Sequence, residues 1–585
     1  MILQALTRYY ESLMESDKLS KPGWDSAFKV SYALRIDENG NLLDIVSLMQ
    51  EQQVGKKTKL LPRNMKVPAH PVRSSGAKAC FLCDNSSYFL GIDNKGKPDF
   101  TKKCFAAAKK LHHELLDNVD SPAAKAVINY FDNWNPDEAT ENPLIKPIFN
   151  ELTNNANLIF YYLRFDSVID DPKIADAWQK HYDVGSDEVS DSTNGICLVT
   201  GEPSQIALVH PSIKGLRGAQ SSGAAIVSFN APAFESYGHE SDQGRNAPVG
   251  KYAAFAYTAA LNYLLADSNH CRYVGDTAIV CWAEHGATEY QDMSVGWMSG
   301  DNDGISDKDL TAALKSLANG KSYDWNGFEL SPDEHFYFLG LAPNAARISV
   351  RFFIENSFGG FARNIEKHYE RLEIVRPAFD DKVRLSPRQL LWETVNKNER
   401  SPSPSPRLSG DLLQAILTDT RYPATLLNAV TLRIRAEKDI TRGRAAILKA
   451  YYLKNENSQC PKEVLTVELN EQTEYLPYVL GRLFSVLEEI QEKANPDINT
   501  TIKDKYFNSA SATPATIIPL LVNLSEKHLR KLDDKSKIYL SKKKGAIMSM
   551  IHETYPTRMT LAEQGAFQLG YYHENQARYT KKEDK

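Results

Sequence analysis

The sequence predicts an α+β fold, in which a mixed α/β N-terminal region is followed by a C-terminal α-helical bundle. Short runs of alternating apolar and polar residues, typical of strands, recur as far as residue 354. A Ser-Pro repeat at residues 401–406 then interrupts the chain with a stiff, polar stretch. Beyond it, apolar residues recur at spacings of three and four, which is typical of amphipathic helices.

The N-terminal half is predicted to open with an amphipathic helix that begins near Ile2. Residues 26–36 form an alternating run that ends at a turn, and residues 79–84 are a second strand candidate followed by the polar residues 85–87. Residues 101–182 are predicted to be helical. Strands then return, with a helix from about Gly250 to Ala266 between them, and are predicted at Ile206–Val209, Ala225–Phe229, Thr277–Trp282 and Arg347–Ile354.

After the Ser-Pro repeat, a helix pair is predicted within residues 421–454, and further helices follow at Tyr475–Lys493, 515–532, 535–553 and 558–575. The chain is therefore expected to have four regions. These are an N-terminal α/β domain with a basic loop (1–195), a mixed α/β core with a Gly-rich segment (196–400), a basic helical linker region (407–460) and a C-terminal helical bundle (463–585).

The composition is that of a globular protein. Of the 585 residues, 42% are hydrophobic and 24% are charged, which excludes wholesale disorder and a fibrous coil. The 69 Lys and Arg are balanced by 74 Asp and Glu, so the whole surface cannot be a basic coat for nucleic acid. The sequence shows neither a long apolar run nor a signal-peptide pattern, and its seven cysteines are scattered. Reduced thiols and a cytoplasmic location are therefore expected.

Positive charge is concentrated locally, and the first such place is residues 52–78. This stretch carries seven Lys and Arg and no acid, while Pro62, Pro68 and Pro71 exclude one continuous helix. A basic loop or extended arm of this kind suits contact with phosphates. The alternative is a solvated surface loop whose charges offset acids elsewhere.

The segment His210–Asn230 combines three glycines, two cations and several small polar side chains, again without an acid. Glycines allow close approach of the backbone, and these polar side chains bind phosphates and base edges. The segment is therefore a candidate for nucleic-acid contact. The alternative is a loop rich in β-bulges that packs on a neighbouring domain.

Two helical windows are also basic. Residues 421–454 hold eight Lys and Arg against two acids, and residues 527–544 hold eight more against two. With apolar residues at helical spacing, the first window predicts a helix pair that has one buried and one basic face. Together the windows suggest a basic track for a nucleic-acid strand.

Enzyme motifs fail at the spacing that their chemistry needs, and we predict no catalytic residue, metal or cofactor. The best metal candidate is the pair Cys80 and Cys83, with Cys104 and the pair His112-His113 downstream. One pair supplies only two of the four ligands that zinc needs. Two buried core thiols are the favoured interpretation, since the intervening residues are apolar.

The sequence resembles a known family, that of the large subunits of the subtype I-C CRISPR effector complex, which is called a Cascade. The resemblance covers nearly the whole chain. The matching blocks are Cys197–Gly201, His210–Gly238, Ala247–Leu265, Phe338–Phe353, Ala445–Tyr452, Leu480–Gln491, Tyr506–Pro514 and Glu563–Tyr572.

The resemblance implies a non-catalytic subunit of a crRNA-guided DNA surveillance complex in antiviral defence. Such a subunit recognises the protospacer-adjacent motif (PAM), promotes the R-loop, stabilises the displaced strand and helps to recruit a helicase–nuclease. The implied partners are crRNA, target double-stranded DNA, the backbone and crRNA-processing subunits, a small subunit made from the same C-terminal region, and the helicase–nuclease; no membrane is implied. With no Met between Met298 and Met548, a small subunit needs a non-ATG start near Val464–Val467.

Charge and resemblance together assign two sets of binding residues. The candidates for contact with the PAM duplex are Lys56, Lys57, Lys59, Arg63, Lys66, Lys214, Arg217, Gln220, Ser221, Ser222 and Asn230. The candidates for the displaced strand are Arg433, Arg435, Arg442, Arg444, Lys449, Lys542, Lys543 and Lys544. Two other functions remain open: a metal-dependent nuclease subunit, and a scaffold that binds only protein partners.

Overall fold

The computed structural model describes residues 1–54, 57–70, 76–164, 166–187, 194–220, 222–229, 231–236, 238, 243–267, 269–299 and 306–579. The chain forms two compact units. The first comprises residues 1–210, except Ile2, together with 229–260; the second comprises 211–228 and the chain from Leu261 onwards. The four-region division of the sequence stays a prediction.

The first unit mixes helices with short strands. Its helices are α1 (Ile2–Glu15), α2 (Ser86–Phe89), α3 (Pro98–Leu116), α4 (Pro122–Asn133), α5 (Phe149–Thr153), α6 (Pro172–Asp187) and most of α7 (Lys251–Ala266). Its strands are β1 (Trp24–Val30), β2 (Tyr32–Ile36), β3 (Leu42–Ser47), β4 (Gln50–Val54), β5 (Lys57–Leu61), β6 (Arg63–Pro68), β7 (Cys83–Asn85), β8 (Asn157–Tyr162), β9 (Asp166–Ser167), β10 (Asn194–Ile196) and β11 (Pro203–Gln205).

A five-stranded sheet organises this unit, in the order β3-β2-β8-β7 with β9 also paired to β8. The central strands β2 and β8 are parallel, and the other pairs are antiparallel. Phe89, Phe131 and Phe160 pack together with the buried imidazole of His112 beneath the sheet. Each such ring can bury about 150–250 Å² of mostly apolar surface.

His112 lies in this core with both ring nitrogens engaged by the backbone. Its Nδ1 is 2.7 Å from the Ala108 carbonyl oxygen, and its Nε2 accepts from the Leu82 N–H at 3.0 Å. The first bond requires a proton on Nδ1 and the second a lone pair on Nε2, so the ring is neutral. Burial lowers the pKa of His112 to about 4.

We therefore expect acid to destabilise the first unit through His112. The unfolded state takes up this proton near pH 6.5, whereas the folded state resists it, so stability falls as pH drops from 6.5 towards 4. Between pH 6.5 and 5 the loss is about 2 kcal/mol. Hydrogen exchange of α3, with labelling times scaled for pH, measures it. His112→Gln should lower stability at pH 7 but flatten the pH dependence, while exposed His181→Gln should do neither; an unchanged slope in His112→Gln contradicts the assignment.

The second unit is built on an antiparallel sheet in the order β12-β13-β16-β17 and a separate β14-β15 hairpin. Its strands are β12 (Cys271–Val274), β13 (Thr277–Ala283), β14 (Tyr323–Trp325), β15 (Phe328–Leu330), β16 (His335–Asn344) and β17 (Arg347–Ser357). Its helices are α8 (Glu289–Ser299), α9 (Asp307–Ala318), α10 (Phe358–Leu372), α11 (Pro387–Trp392), α12 (Pro406–Leu417), α13 (Ala424–Glu437), α14 (Arg442–Asn455), α15 (Leu476–Ala494), α16 (Ile502–Ala512), α17 (Pro514–Leu529), α18 (Asp534–Met548) and α19 (Leu561–Ala577).

One hydrophobic core runs through this unit from Val274 to Tyr572, so residues on both sides of the Ser-Pro repeat share it. At the centre of the bundle, α15 and α19 approach closely at two glycines. A Cβ atom on Gly481 or Gly570 would collide with a backbone carbonyl of the facing helix. Glycine is therefore required at both positions by contact between the helices rather than by backbone conformation.

The predicted fold class is confirmed, with strands mostly in the N-terminal half and helices dominating the C-terminal part. The main differences concern strands. Residues 206–209 and 225–229 form only isolated bridges, through Ile206 and Ala225. Conversely, β8 lies inside the stretch predicted to be helical. Among the described helices, none is both long and apolar enough to cross a membrane.

Candidate nucleic-acid interface

The basic arm, defined as residues 50–68, is extended where the structure describes it, which agrees with the extended-arm form of the prediction. The antiparallel hairpin of β4 and β5 is followed by β6, which pairs with β1 from Val30↔Arg63 to Trp24↔Pro68. Pro62 separates β5 from β6. This position suits proline because no ladder hydrogen bond is needed from its nitrogen.

The arm holds several of the predicted duplex contacts. Lys57 and Lys59 lie on β5, while Arg63 and Lys66 on β6 are exposed. The Lys66 ammonium stands 5.2 Å from the centre of the Trp24 ring, a cation–π contact that orients the side chain. Lys56 lies outside the described residues.

The Gly-rich segment, defined as residues 211–228, is fixed by hydrogen bonds to its backbone. The Asn262 side chain accepts from the Lys214 N–H at 2.7 Å and donates to the Ser212 carbonyl at 3.3 Å. The Tyr273 hydroxyl accepts from the Arg217 N–H at 3.0 Å and lies 3.3 Å from the Gly215 carbonyl, to which it donates. Anchoring through the backbone leaves the side chains available for a ligand.

Glycine is needed here for conformation. Gly215, Gly218 and Gly223 have φ of +85°, +84° and +104°, in the left-handed region that other residues avoid. These turns keep Ile213 and Leu216 buried and leave Lys214, Arg217, Gln220 and Ser222 exposed. Ser221 and Asn230 lie outside the described residues.

Arg217 lies over the Tyr273 ring, with its guanidinium carbon 4.3 Å from the ring centre. Stacking leaves the planar N–H edge of arginine free to face a phosphate or a base. Tyr273 and Asn262 were not singled out from the sequence, because they lie 56 and 48 residues from their hydrogen-bond partners. No local pattern signals such a long-range contact.

The basic face predicted for the helix pair is wrong for two cations of α14, Arg444 and Lys449, which are buried, and a third, Arg442, is only half-buried. Arg444, 1% exposed, pairs with Glu437 and Glu393. Arg442 pairs with Asp380 at 2.9 Å, and buried Lys449 donates to the Glu373 carbonyl at 2.7 Å. Burial lowers the pKa of Lys449 to about 8. A phosphate could reach these groups only if their internal contacts opened.

The remaining cations of the displaced-strand set differ in exposure. Lys544 is buried against Glu526, and Lys543 lies 2.8 Å from the buried Glu574 carboxylate. Arg433 is half-buried near Glu437, and Arg435 is exposed but donates to Gln564 at 2.8 Å. Lys542 is exposed and makes no ion pair with any residue that the structure describes. Contact of this set with the displaced strand stays a prediction.

The cysteine pair lies in the core of the first unit. Cys80 and Cys83 are both buried, and burial raises the pKa of the Cys83 thiol well above its usual value. His112 cannot turn a nitrogen towards them without giving up a backbone hydrogen bond. Within the described ranges there is no cluster of three His, Cys, Asp or Glu side chains that could hold a metal ion.

Comparison with known proteins identifies the family. A family model described as "CRISPR-associated protein (Cas_Csd1)" matches residues 6–579. Curated proteins give no match. The matched span includes both the basic arm and the Gly-rich segment, and it agrees with the resemblance drawn from the sequence. The chain therefore belongs to the Csd1 family of CRISPR-associated proteins, as expected of the large subunit of a Cascade.

Proposed function

We propose that this chain is the non-catalytic large subunit of a type I-C, crRNA-guided surveillance complex, and that it recognises the PAM in target duplex DNA. The Gly-rich segment carries the proposal. Its backbone is tied to Asn262 and Tyr273, whereas Lys214, Arg217 and Gln220 are exposed on a stretch without acids. Cations fix a duplex through its phosphates, and an amide such as Gln220 can bond adenine in the major groove.

In the proposed function, guide RNA and protein contribute different parts of target recognition, for energetic reasons. Guide pairing supplies most sequence discrimination, so protein need read only a short duplex element. The free energy lost when the DNA duplex opens is nearly equal to the free energy gained when the RNA–DNA heteroduplex forms. A few phosphate contacts can therefore make R-loop formation favourable. In this proposal the basic arm and the Gly-rich segment promote the R-loop, and exposed cations such as Lys542 stabilise the displaced strand. The assembled complex then helps to recruit the helicase–nuclease.

The experiment that tests this function compares matched targets that differ only in the flanking trinucleotide. The chain is assembled with crRNA and its partner subunits, and binding is measured for each flank. Gln220→Ala should reduce discrimination between flanks by about 1–3 kcal/mol, whereas exposed Gln472→Ala should not change it. Flank-independent binding by the wild-type complex would contradict PAM recognition, and full discrimination by Gln220→Ala would show that Gln220 does not read the PAM.

The proposal includes that the chain is not catalytic, and a DNA cleavage assay tests this part. We expect purified chain with Mg²⁺ or Mn²⁺ to leave single-stranded and duplex DNA intact, because the chain's part is binding. Intact DNA over hours is the expected result. Metal-dependent cleavage that survives further purification would favour the nuclease alternative.

We also propose that the C-terminal bundle is made separately as a small subunit, from a non-ATG start near Val464–Val467. Supporting this, a network of buried ion pairs lies wholly within the bundle and joins Arg482, Lys543 and Glu574. Mass spectrometry of the assembled complex should find a C-terminal product, which synonymous changes of the start codons should remove. Unchanged product after those changes would point to proteolysis.

A further inference from the structure

A cavity of about 620 Å³ lies next to the Gly-rich segment, wholly within the second unit. Its lining includes residues of the edge strand β12, of α11 and of the Ser-Pro repeat. The volume falls within the range of about 300–1,000 Å³ that is common for small-molecule sites. The cavity is therefore large enough for more than a single inorganic ion.

The lining is positively charged. Three arginines contribute to it, Arg217 from the Gly-rich segment, Arg272 from β12 and Arg388 from α11. Asp267 also lines the cavity, so three positive charges face one negative charge; its carboxylate accepts from the Asn269 N–H at 2.8 Å and lies 3.6 Å from the buried His270 ring. Arginines brought together from three separate elements favour an anionic ligand, and their planar N–H groups suit phosphate.

The lining is also aromatic and apolar. Tyr273 and Trp392 contribute rings, and Leu391 and Val274 add apolar surface. Arg217 already stacks on Tyr273, so Trp392 is the ring available to a planar ligand on the α11 side. Arginines beside aromatic rings are the combination by which proteins hold unpaired nucleotides, through phosphate pairing and base stacking.

We infer that this cavity binds one unpaired nucleotide of a single-stranded nucleic acid, with its phosphate at Arg272 and Arg388 and its base beside Trp392. The inference rests on the proposed function and adds a site to it. The shared lining residue Arg217 would place the nucleotide next to the stretch that contacts the duplex. An opened duplex supplies such a nucleotide from DNA, and crRNA supplies one from RNA.

Binding of eight-residue oligothymidylate and oligouridylate to the full chain tests the inference and distinguishes the two sources. Arg272→Gln with Arg388→Gln should weaken binding of the preferred strand about 25-fold at 0.1 M salt, since two single-strand phosphate contacts are lost. The matched control, Arg400→Gln with Arg407→Gln, removes the same charge from exposed residues beside the same Ser-Pro repeat but outside the cavity. It should change affinity less than threefold.

Crosslinking locates the nucleotide without any substitution. An oligonucleotide with one 5-iodouracil, irradiated on the wild-type chain, should form an adduct at Trp392 or Tyr273. Adducts only elsewhere, or equal weakening by both double variants, would overturn the inference. If that happens while the assembled complex still discriminates flanking trinucleotides, only the cavity is wrong; if discrimination is also absent, the proposed function fails with it.

Discussion

Replacing Arg63, Lys66 and Lys214 together by alanine is expected to weaken binding of the assembled complex to target duplex about 500-fold at 0.1 M salt. All three side chains are exposed, two on the basic arm and one on the Gly-rich segment. Each phosphate contact releases a counterion, so losing three contacts should also reduce the slope of log K against log salt by about 2.7.

The salt slope separates direct contact from indirect damage. A matched variant with Lys103, Lys125 and Lys180 replaced by alanine removes the same charge from exposed positions on α3, α4 and α6. The affinity of this variant for target duplex should stay within a few-fold of the wild-type value, and the slope of log K against log salt should not change. Binding titrations over 50–200 mM salt measure both quantities (~3 to 4 concentrations suffice). Weakened binding at an unchanged slope would mean that the three cations do not contact phosphates.

The second large effect concerns stability of the C-terminal bundle, where Glu574→Gln is expected to cost about 3–5 kcal/mol. Glu574 on α19 is 1% exposed and pairs with Arg482 of α15 at 2.9 Å and Lys543 of α18 at 2.8 Å. Glutamine keeps the shape but removes the charge. The Arg482 guanidinium, itself 7% exposed, then stays buried without its counter-charge.

Hydrogen exchange of α15 and α19 is the appropriate measurement, because a chain with two units need not unfold in one step. The control is Glu456→Gln, which breaks a surface pair with Lys462 whose side chains are 71% and 77% exposed. Exposed pairs contribute little, so protection should be unchanged there. Equal protection in the two variants would show that the buried network does not stabilise the bundle.

Local patterns were sufficient for much of the fold. The helix predicted at Tyr475–Lys493 is α15, and the pair within residues 421–454 is α13 and α14. Their apolar spacing is a property of adjacent turns and needs no distant partner to be read. Residues 225–229 behave differently. They are strand-like in sequence, yet the pairing with β17 is a single bridge between Ala225 and Arg347, because strand propensity depends on tertiary context and does not by itself set how far two segments run side by side.

Part of the candidate site was likewise predictable from local sequence, and part was not. Acid-free, Gly-rich composition marked residues 210–230 from the sequence, and the structure leaves Lys214, Arg217, Gln220 and Ser222 exposed there. Asn262 and Tyr273, which hold that backbone, carry no local signal. The cavity beside them could not be predicted either, since its arginines come from positions 217, 272 and 388.

The sequence by itself determined the fold class, the family and the places where positive charge is dense. Only the tertiary structure decided which charges are available. Arg444 and Lys449 look as basic in the sequence as Lys214, yet they are buried against carboxylates and carbonyls from distant segments. Charge is a property of the residue, whereas exposure depends on which parts of the chain pack around it, and packing in this protein joins residues hundreds of positions apart.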